Sequence, residues 1–203
     1  LRDDPAPGRP LAGPASLRGA RSTRGRTPRS SSSSSTSVDL LGVLRAAQAL
    51  GSETNLDRLR GRVVEVLTMM TGATGVQLAS WKDDVGDWFV PAGSDGAEMV
   101  TVDEAAARGL LPLSAFRYAE RTGELLRVDD ATRDDRFARD PYLATLDRCS
   151  LLVVPIASHG RTRAMLLLEN RLSRGAFSAE RLDAVMLIAG QLALCLDNAL
   201  AER

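Results

Sequence analysis

The sequence CSLLVVPIASHGRTRAMLLLEN, residues 149–170, decides the fold of this chain. Two apolar runs, 151–157 and 164–168, flank a short polar segment that contains Gly160. Two runs of strand length separated by a few residues with a glycine predict a β-hairpin. Neither run alternates between apolar and polar residues, so both are predicted to be central strands that are covered on both faces. Pro155 cannot donate a backbone hydrogen bond, which predicts a bulge or a local break in pairing.

Length and charge divide the chain into two parts. The 203 residues suffice for one domain with a sizeable core. Residues 1–37 are rich in Arg, Ser and Pro and carry a net charge of +5, and we predict a disordered linker there. Such an acid-poor segment is also typical of an organelle transit peptide, which Asp3 and Asp4 disfavour. Residues 38–203 carry a net charge of −5, so we predict no nucleic-acid partner.

Cysteine usage and hydropathy bear on the compartment. The two cysteines, Cys149 and Cys195, each lie inside an apolar run, which favours buried thiols over a disulfide. Free thiols indicate a reducing compartment, and we expect the protein to be cytoplasmic. The uncharged apolar stretch 184–196 is too short to span a bilayer, so we predict a buried helix and no membrane span.

The rest of the chain supplies the elements that cover this hairpin. Helices are predicted over residues 38–50, 56–71, 112–122 and 178–203, and further strands over 76–81, 87–91, 100–102 and 125–128. A short helix is expected over residues 141–146. Pro112 and Ser178 are residue types that begin helices well, and Gly123 is one that ends them.

The most polar stretch of this part is 129–142, with five aspartates and three arginines. A metal site is one interpretation. The spacing does not fit a calcium-binding loop, because no glycine lies midway and no glutamate closes it. We therefore favour a lid of loop and helical turn, in which aspartates cap turns and pair with arginines, and we predict no metal.

The first and last predicted helices have apolar faces that other helices can cover. Leu41 and Leu44 lie on the first, and Leu192, Leu196 and Leu200 on the last. We predict a homodimer through these helices. A helical pattern that continues to residue 203 also suggests a connection to a downstream helix.

The order of elements resembles the GAF domain, an α/β sensor module. The resemblance covers residues 38–203 and is most specific at the following segments: 112-PLS-114, 121-RTG-123, 128-VDDA-131, 135-DRF-137, 140-DPY-142, 150-SLLVVPI-156, 168-LEN-170 and 175-GAFS-178. It implies an α/β (α+β) fold, with a central antiparallel sheet of five to six strands and the N- and C-terminal helices packed on one face. It also implies a cytoplasmic regulatory module of the kind found just before the histidine kinase in large bacterial signalling chains that also contain Ser/Thr kinase and ATPase domains. Adjacent kinase domains are therefore expected partners.

Some relatives in this family bind cyclic nucleotides. They carry Asn-Lys, a variable gap, and then Phe, three residues and Asp-Glu. Asn170, Arg171 and Phe177 fit that pattern loosely, but Arg181 and Leu182 stand where Asp-Glu is expected. The resemblance therefore disfavours cyclic-nucleotide binding.

Other relatives bind a bilin or haem, or reduce methionine sulfoxide. Bilin attachment needs a cysteine in a loop beside the pocket, whereas Cys149 opens a strand and Cys195 lies in a helix. Haem needs a histidine that faces the pocket, and His159 is predicted at the exposed hairpin tip. Two separate cysteines do not supply the cluster that sulfoxide reduction needs. We predict no cofactor and no catalytic residues, since the chain also lacks a phosphate loop and a Cys/His pair.

Two functions remain. One is a non-catalytic module that relays a signal through its terminal helices as a dimer. The other is a sensor for an unknown small molecule, with a pocket between the sheet and residues 93–147. Its candidate lining residues are aromatic, with ordinary core packing as the alternative role: Trp81, Trp88, Phe116, Tyr118, Phe137 and Tyr142.

Overall fold

The computed structural model describes residues 56–93 and 98–201. The linker predicted over residues 1–37 and the helix predicted over 38–50, with Leu41 and Leu44, lie outside these residues. The elements, in chain order, are α1 Leu56–Thr71, β1 Gly75–Lys82, β2 Asp87–Pro91, β3 Met99–Thr101, α2 Val102–Ala107, α3 Leu113–Thr122, β4 Leu126–Val128, a 3-10 turn Leu143–Thr145, β5 Ser150–Ser158, β6 Arg161–Asn170 and α4 Ala179–Ala201. The strands form one six-stranded antiparallel sheet in the order β3-β2-β1-β6-β5-β4.

The predicted hairpin is confirmed as the centre of this sheet. β5 and β6 pair antiparallel, with Val153 opposite Leu167, and the register shifts after Ile156, next to Pro155. The turn between the strands consists of His159 and Gly160, which have φ values of 50° and 76°. Positive φ at both central residues is the geometry of the two-residue turns that match the twist of paired strands.

Both faces of the hairpin are covered, as its unbroken apolar runs predict. Leu151 and Val153 point into a core beneath α2, α3 and the segment 129–149. Leu152 and Val154 point into a second core beneath α1 and α4. The N-terminal and C-terminal helices of the described part therefore share one face, and the remaining connections cover the other.

Two local predictions differ from the structure. The strand expected over residues 100–102 ends at Thr101, and Val102 begins α2, a helix that was not predicted. The Thr101 hydroxyl accepts a hydrogen bond from the Glu104 amide at 3.2 Å and so caps that helix. The short helix expected over residues 141–146 is a single 3-10 turn. No helix in the described part of the chain is long and apolar enough to cross a membrane.

Candidate functional site

The face of the sheet beneath α3 is filled by side chains. Phe116 and Phe137 are 1% and 2% exposed, and Tyr142 is 9% exposed. Tyr118 is half-buried and stacks edge-on against Phe137, with ring centroids 5.6 Å apart. Four of the six aromatic residues predicted for a pocket thus serve the core alone, and Trp88, which is 2% exposed, and Trp81 also pack in it or against it.

The two remaining aromatic residues line a cleft at one end of the sheet. Here the end of β1, the start of β2 and the start of β6 meet, and α3 lies alongside. The cleft has a volume of about 230 Å³ and is lined by Trp81, Trp88, Glu120, Arg161, Thr162 and Arg163. The prediction from sequence included the two tryptophans but missed the polar residues, which come from α3 and β6.

Both indole N–H groups in this cleft already have acceptors. Trp88 Nε1 donates to Glu120 Oε1 at 2.7 Å, and Trp81 Nε1 donates to Asp83 Oδ1 at 3.2 Å. Arg163 pairs with the same aspartate. Because its guanidinium hydrogen-bonds the carboxylate, the pKa of Asp83 is held below its ordinary value.

A buried carboxylate, that of Glu169, lies at the opposite end of β6. Glu169 is 6% exposed and its Oε2 accepts a hydrogen bond from the Tyr142 hydroxyl at 2.6 Å. Its Oε1 accepts from Arg171 Nε at 3.0 Å, and Arg171 also contacts the same hydroxyl. A β-carbon at Gly75 would lie 2.7 Å from Oε1, so only glycine fits there without displacing the carboxylate. This network joins the 129–149 segment to the sheet.

The thiol beside this network is unsuited to nucleophilic chemistry. Cys149 is fully buried, with its Sγ 4.0 Å from Glu169 Oε2. Burial, followed by the nearby Glu169 charge, raises the pKa of the Cys149 thiol to about 12. The thiol therefore stays protonated at neutral pH, whereas the reactive form of cysteine is the thiolate.

The side chains of three of the five aspartates of the polar segment have partners within the protein. Asp140 accepts the amide hydrogens of Ser114 and Tyr142 at 2.8 and 2.9 Å, and Asp134 pairs with Arg136 at 2.7 Å. Asp130 pairs with Arg174 at 2.6 Å. These contacts fit the predicted lid, and the described residues contain no cluster of three or more metal-ligating side chains.

The hairpin tip contacts α4. The Ser158 hydroxyl donates to Asp197, and His159 Nε2 lies 3.6 Å from Asp197 Oδ1. His159 is 65% exposed, in agreement with its predicted place at the tip. The cleft begins at Arg161, so the two residues that touch α4 and the residues that line the cleft are close neighbours in the chain.

The outward face of α4 is largely apolar. Met186 and Leu194 are 44% and 56% exposed, and the exposed Gly190 lies between them. Leu192, which was predicted for a dimer contact, is instead 1% exposed and belongs to the core, and Leu196 packs against that core. The side chain of Leu200 lies outside the described ones. The exposed apolar residues of α4 are therefore offset around the helix from those predicted for a dimer contact.

A six-stranded antiparallel sheet with terminal helices on one face defines an α/β sensor-module fold. Residues 46–196 match the model of the GAF domain family, and the chain belongs to that family. It is also 39% identical over 87 residues to hybrid signal transduction histidine kinase G of Dictyostelium discoideum. That match covers 43% of this chain and 2% of the much longer relative.

Solved structures agree on the fold. The GAF domain of a phosphoenolpyruvate-protein phosphotransferase from Coxiella burnetii superimposes with a TM-score of 0.64 at 18% identity, over 82% of this chain and 97% of that one. The corresponding Acinetobacter domain gives 0.62 at 16% identity, over 81% and 95%. A free methionine-R-sulfoxide reductase from Neisseria meningitidis gives 0.60 at 14% identity, over 83% and 93%.

Proposed function

We propose that this chain is a non-catalytic, cytoplasmic signalling module of a larger sensor kinase, which dimerises and relays its signal through α4. The named Dictyostelium relative supports the kinase context, since it is a hybrid histidine kinase. The chemistry of the described residues supports the absence of catalysis. Their one histidine is exposed beside Asp197, and Cys149 is buried and protonated.

The observation that carries the dimer is the outward face of α4. A helix packed on a domain normally presents a polar stripe to solvent. Here Met186, Leu187, Gly190 and Leu194 follow one another at helical spacing on that side, with Asp183 at one end of the stripe and Asp197 at the other. Burial of such a stripe stabilises an interface by about 25 cal/mol per Å².

A second copy of this chain is the partner that this stripe fits best. In a two-fold dimer the same surface patch meets itself, so it must be complementary to itself. An apolar stripe whose aspartates lie only at its two ends satisfies that condition along its middle. The side chain at Gly190 is a hydrogen, which lets two helices approach closely at the middle of the stripe.

Light scattering on the purified chain tests this interface. Met186→Asp with Leu194→Asp places two charges on the stripe, and we expect the mass to fall from that of a dimer to that of a monomer while the unfolding midpoint stays within a few degrees. Leu172→Asp is the matched control, because Leu172 is 75% exposed in the loop after β6. A dimer that persists in the double variant contradicts the assignment.

The cleft favours a second function, that of a small-molecule sensor. Two tryptophans and two arginines converge there on a volume of about 230 Å³. Ligand binding can shift a signalling equilibrium only if the ligand has different affinities for the two states, so the site must be joined to the output element. The contacts of Ser158 and His159 with Asp197 supply such a connection.

A further inference from the structure

The lining of the cleft has a surplus of positive charge. It contains two guanidinium groups, Arg161 and Arg163, and one carboxylate, Glu120. Arg163 is paired with Asp83, and Glu120 is paired with Arg117 at 2.8 Å. Arg161 is exposed, and its guanidinium has no ion-pair partner among the residues that the structure describes. An anion that enters the cleft therefore meets one arginine without an ion pair, whose charge Asp83 offsets only at longer range.

The walls of the cleft are aromatic. The rings of Trp81 and Trp88 are in edge-to-face contact, 5.5 Å apart and inclined at 70°. Because both indole N–H groups are already donated to carboxylates, the surface that the rings present to a ligand is apolar. Aromatic surface of this kind packs well against another planar ring.

Volume limits the size of the ligand. Pockets for drug-sized molecules have roughly 300–1,000 Å³. A cleft of about 230 Å³ admits one ring with a short substituent. The geometry points to a binding site for a small aromatic carboxylate, whose ring packs against Trp81 and whose carboxylate pairs with Arg161. This inference rests on the sensor function proposed above and names its ligand class.

The position of Arg161 gives the site a route to α4. Arg161 lies opposite Ser158 in the pairing of β5 with β6, next to the hairpin turn. The Ser158 hydroxyl donates a hydrogen bond to Asp197 of α4. A carboxylate that pairs with the Arg161 guanidinium in the cleft acts on the strand pair that holds the tip against α4. Binding in the cleft and the position of the helix are thus linked through two consecutive contacts.

Tryptophan fluorescence reports on this site directly, because the chain contains two tryptophans and both line the cleft. Benzoate is the probe. Benzamide keeps the ring without the charge, and acetate keeps the charge without the ring. We expect a saturable fluorescence change with benzoate, with a Kd in the millimolar to micromolar range, and at least roughly tenfold weaker binding of the other two. A charge-assisted hydrogen bond contributes enough for that ratio.

Two arginine variants separate site binding from general ionic attraction. Arg161→Gln should weaken benzoate binding about tenfold or more. Arg133→Gln should leave it unchanged, since Arg133 is 71% exposed and belongs to the segment at the other end of β6. Absence of saturation with benzoate, acetate binding as tight as that of benzoate, or equal affinity of wild type and Arg161→Gln each overturns the inference. Both variants should keep the wild-type unfolding midpoint.

Native mass spectrometry of the chain purified without added ligand distinguishes the two levels of the proposal. A bound small molecule together with no response to benzoate overturns the aromatic-carboxylate class and keeps the sensor function. If no bound molecule is found and benzoate causes no response, the ligand class and the sensor function are both overturned. Benzoate binding by a chain that proves to be monomeric supports the cleft and contradicts the α4 interface.

Discussion

The two ends of the β5–β6 hairpin differ in how they are held. At the Glu169 end, a buried carboxylate, a tyrosine and an arginine bind one another and fix the neighbouring loops. At the tip, an exposed histidine and Arg161 lie between an open cleft and α4. The first end has several mutually supporting contacts and the second has few, and regions with few buried contacts are those that open locally at low cost. The hairpin thus combines a firmly held end, the anchor, with a tip whose few contacts reach α4.

The largest expected effect is loss of the anchor. Glu169→Ala removes the acceptor of Tyr142 and of Arg171, so we expect the free energy of unfolding to fall by about 3 kcal/mol. Arg161→Ala at the other end should change it by less than about 0.5 kcal/mol. Urea denaturation measures both. Similar losses in the two variants would mean that the ends do not differ in rigidity.

Gly75→Ala probes the same anchor from the neighbouring strand. The added β-carbon would lie 2.7 Å from Glu169 Oε1, and displacing the carboxylate should cost about 1–3 kcal/mol. Gly61→Ala is the matched control, because nothing lies within 4 Å of that position in α1 and alanine favours helix by about 0.5–1 kcal/mol. The two substitutions should therefore have opposite signs in the same denaturation assay.

Alkaline pH should weaken the anchored end. Burial raises the pKa of Cys149 from 9.0 to about 12, and burial with the Glu169 hydrogen bond raises the pKa of Tyr142 above its ordinary 10.0. Above pH 9 the unfolded chain releases protons that the folded chain retains. The free energy of unfolding should thus fall by about 1 kcal/mol per pH unit there and be fully retained below pH 9. In Cys149→Ala the slope between pH 9 and 10 should be shallower, and an unchanged slope counts against this cause.

The smallest expected effect on stability concerns the tip. Asp197→Ala removes the acceptor for Ser158 on α4, and since Asp197 is 38% exposed we expect a loss below about 1 kcal/mol. Amide exchange of residues 157–160 should nevertheless become faster. Glu180→Ala, which alters an exposed carboxylate in the first turn of the same helix, should leave that exchange unchanged. Equal exchange in both variants would show that α4 does not hold the tip.

Local pattern in the sequence predicts the fold well and the sites poorly. The hairpin, its exposed tip and the bulge next to Pro155 follow from residues that are neighbours in the chain. α2 was missed because its six residues are too few to show a helical period, although Thr101 and Glu104 are in suitable capping positions. The position of Glu169 is itself a signal of a buried polar network. A charged residue at the end of an apolar strand needs a partner when it is buried.

The sites depend on contacts between distant residues. Trp88 and Glu120 are 32 positions apart, and Tyr142 and Glu169 are 27 apart. Apolar periodicity assigned Leu192 to a face of α4 but did not tell which face the sheet covers. The core covers the Leu192 side of α4, so Met186 and Leu194 are exposed instead.

Hydrogen exchange on the wild-type chain and on the Met186→Asp, Leu194→Asp variant tests the central claim most directly. If α4 is both the dimer interface and the element that reads the hairpin tip, dimerisation should slow exchange over residues 186–194 and over 157–160. Exchange over residues 168–171, at the anchored end, should not change. Slower exchange in α4 without any effect at residues 157–160, or an equal effect at both ends of the hairpin, would contradict the proposed relay.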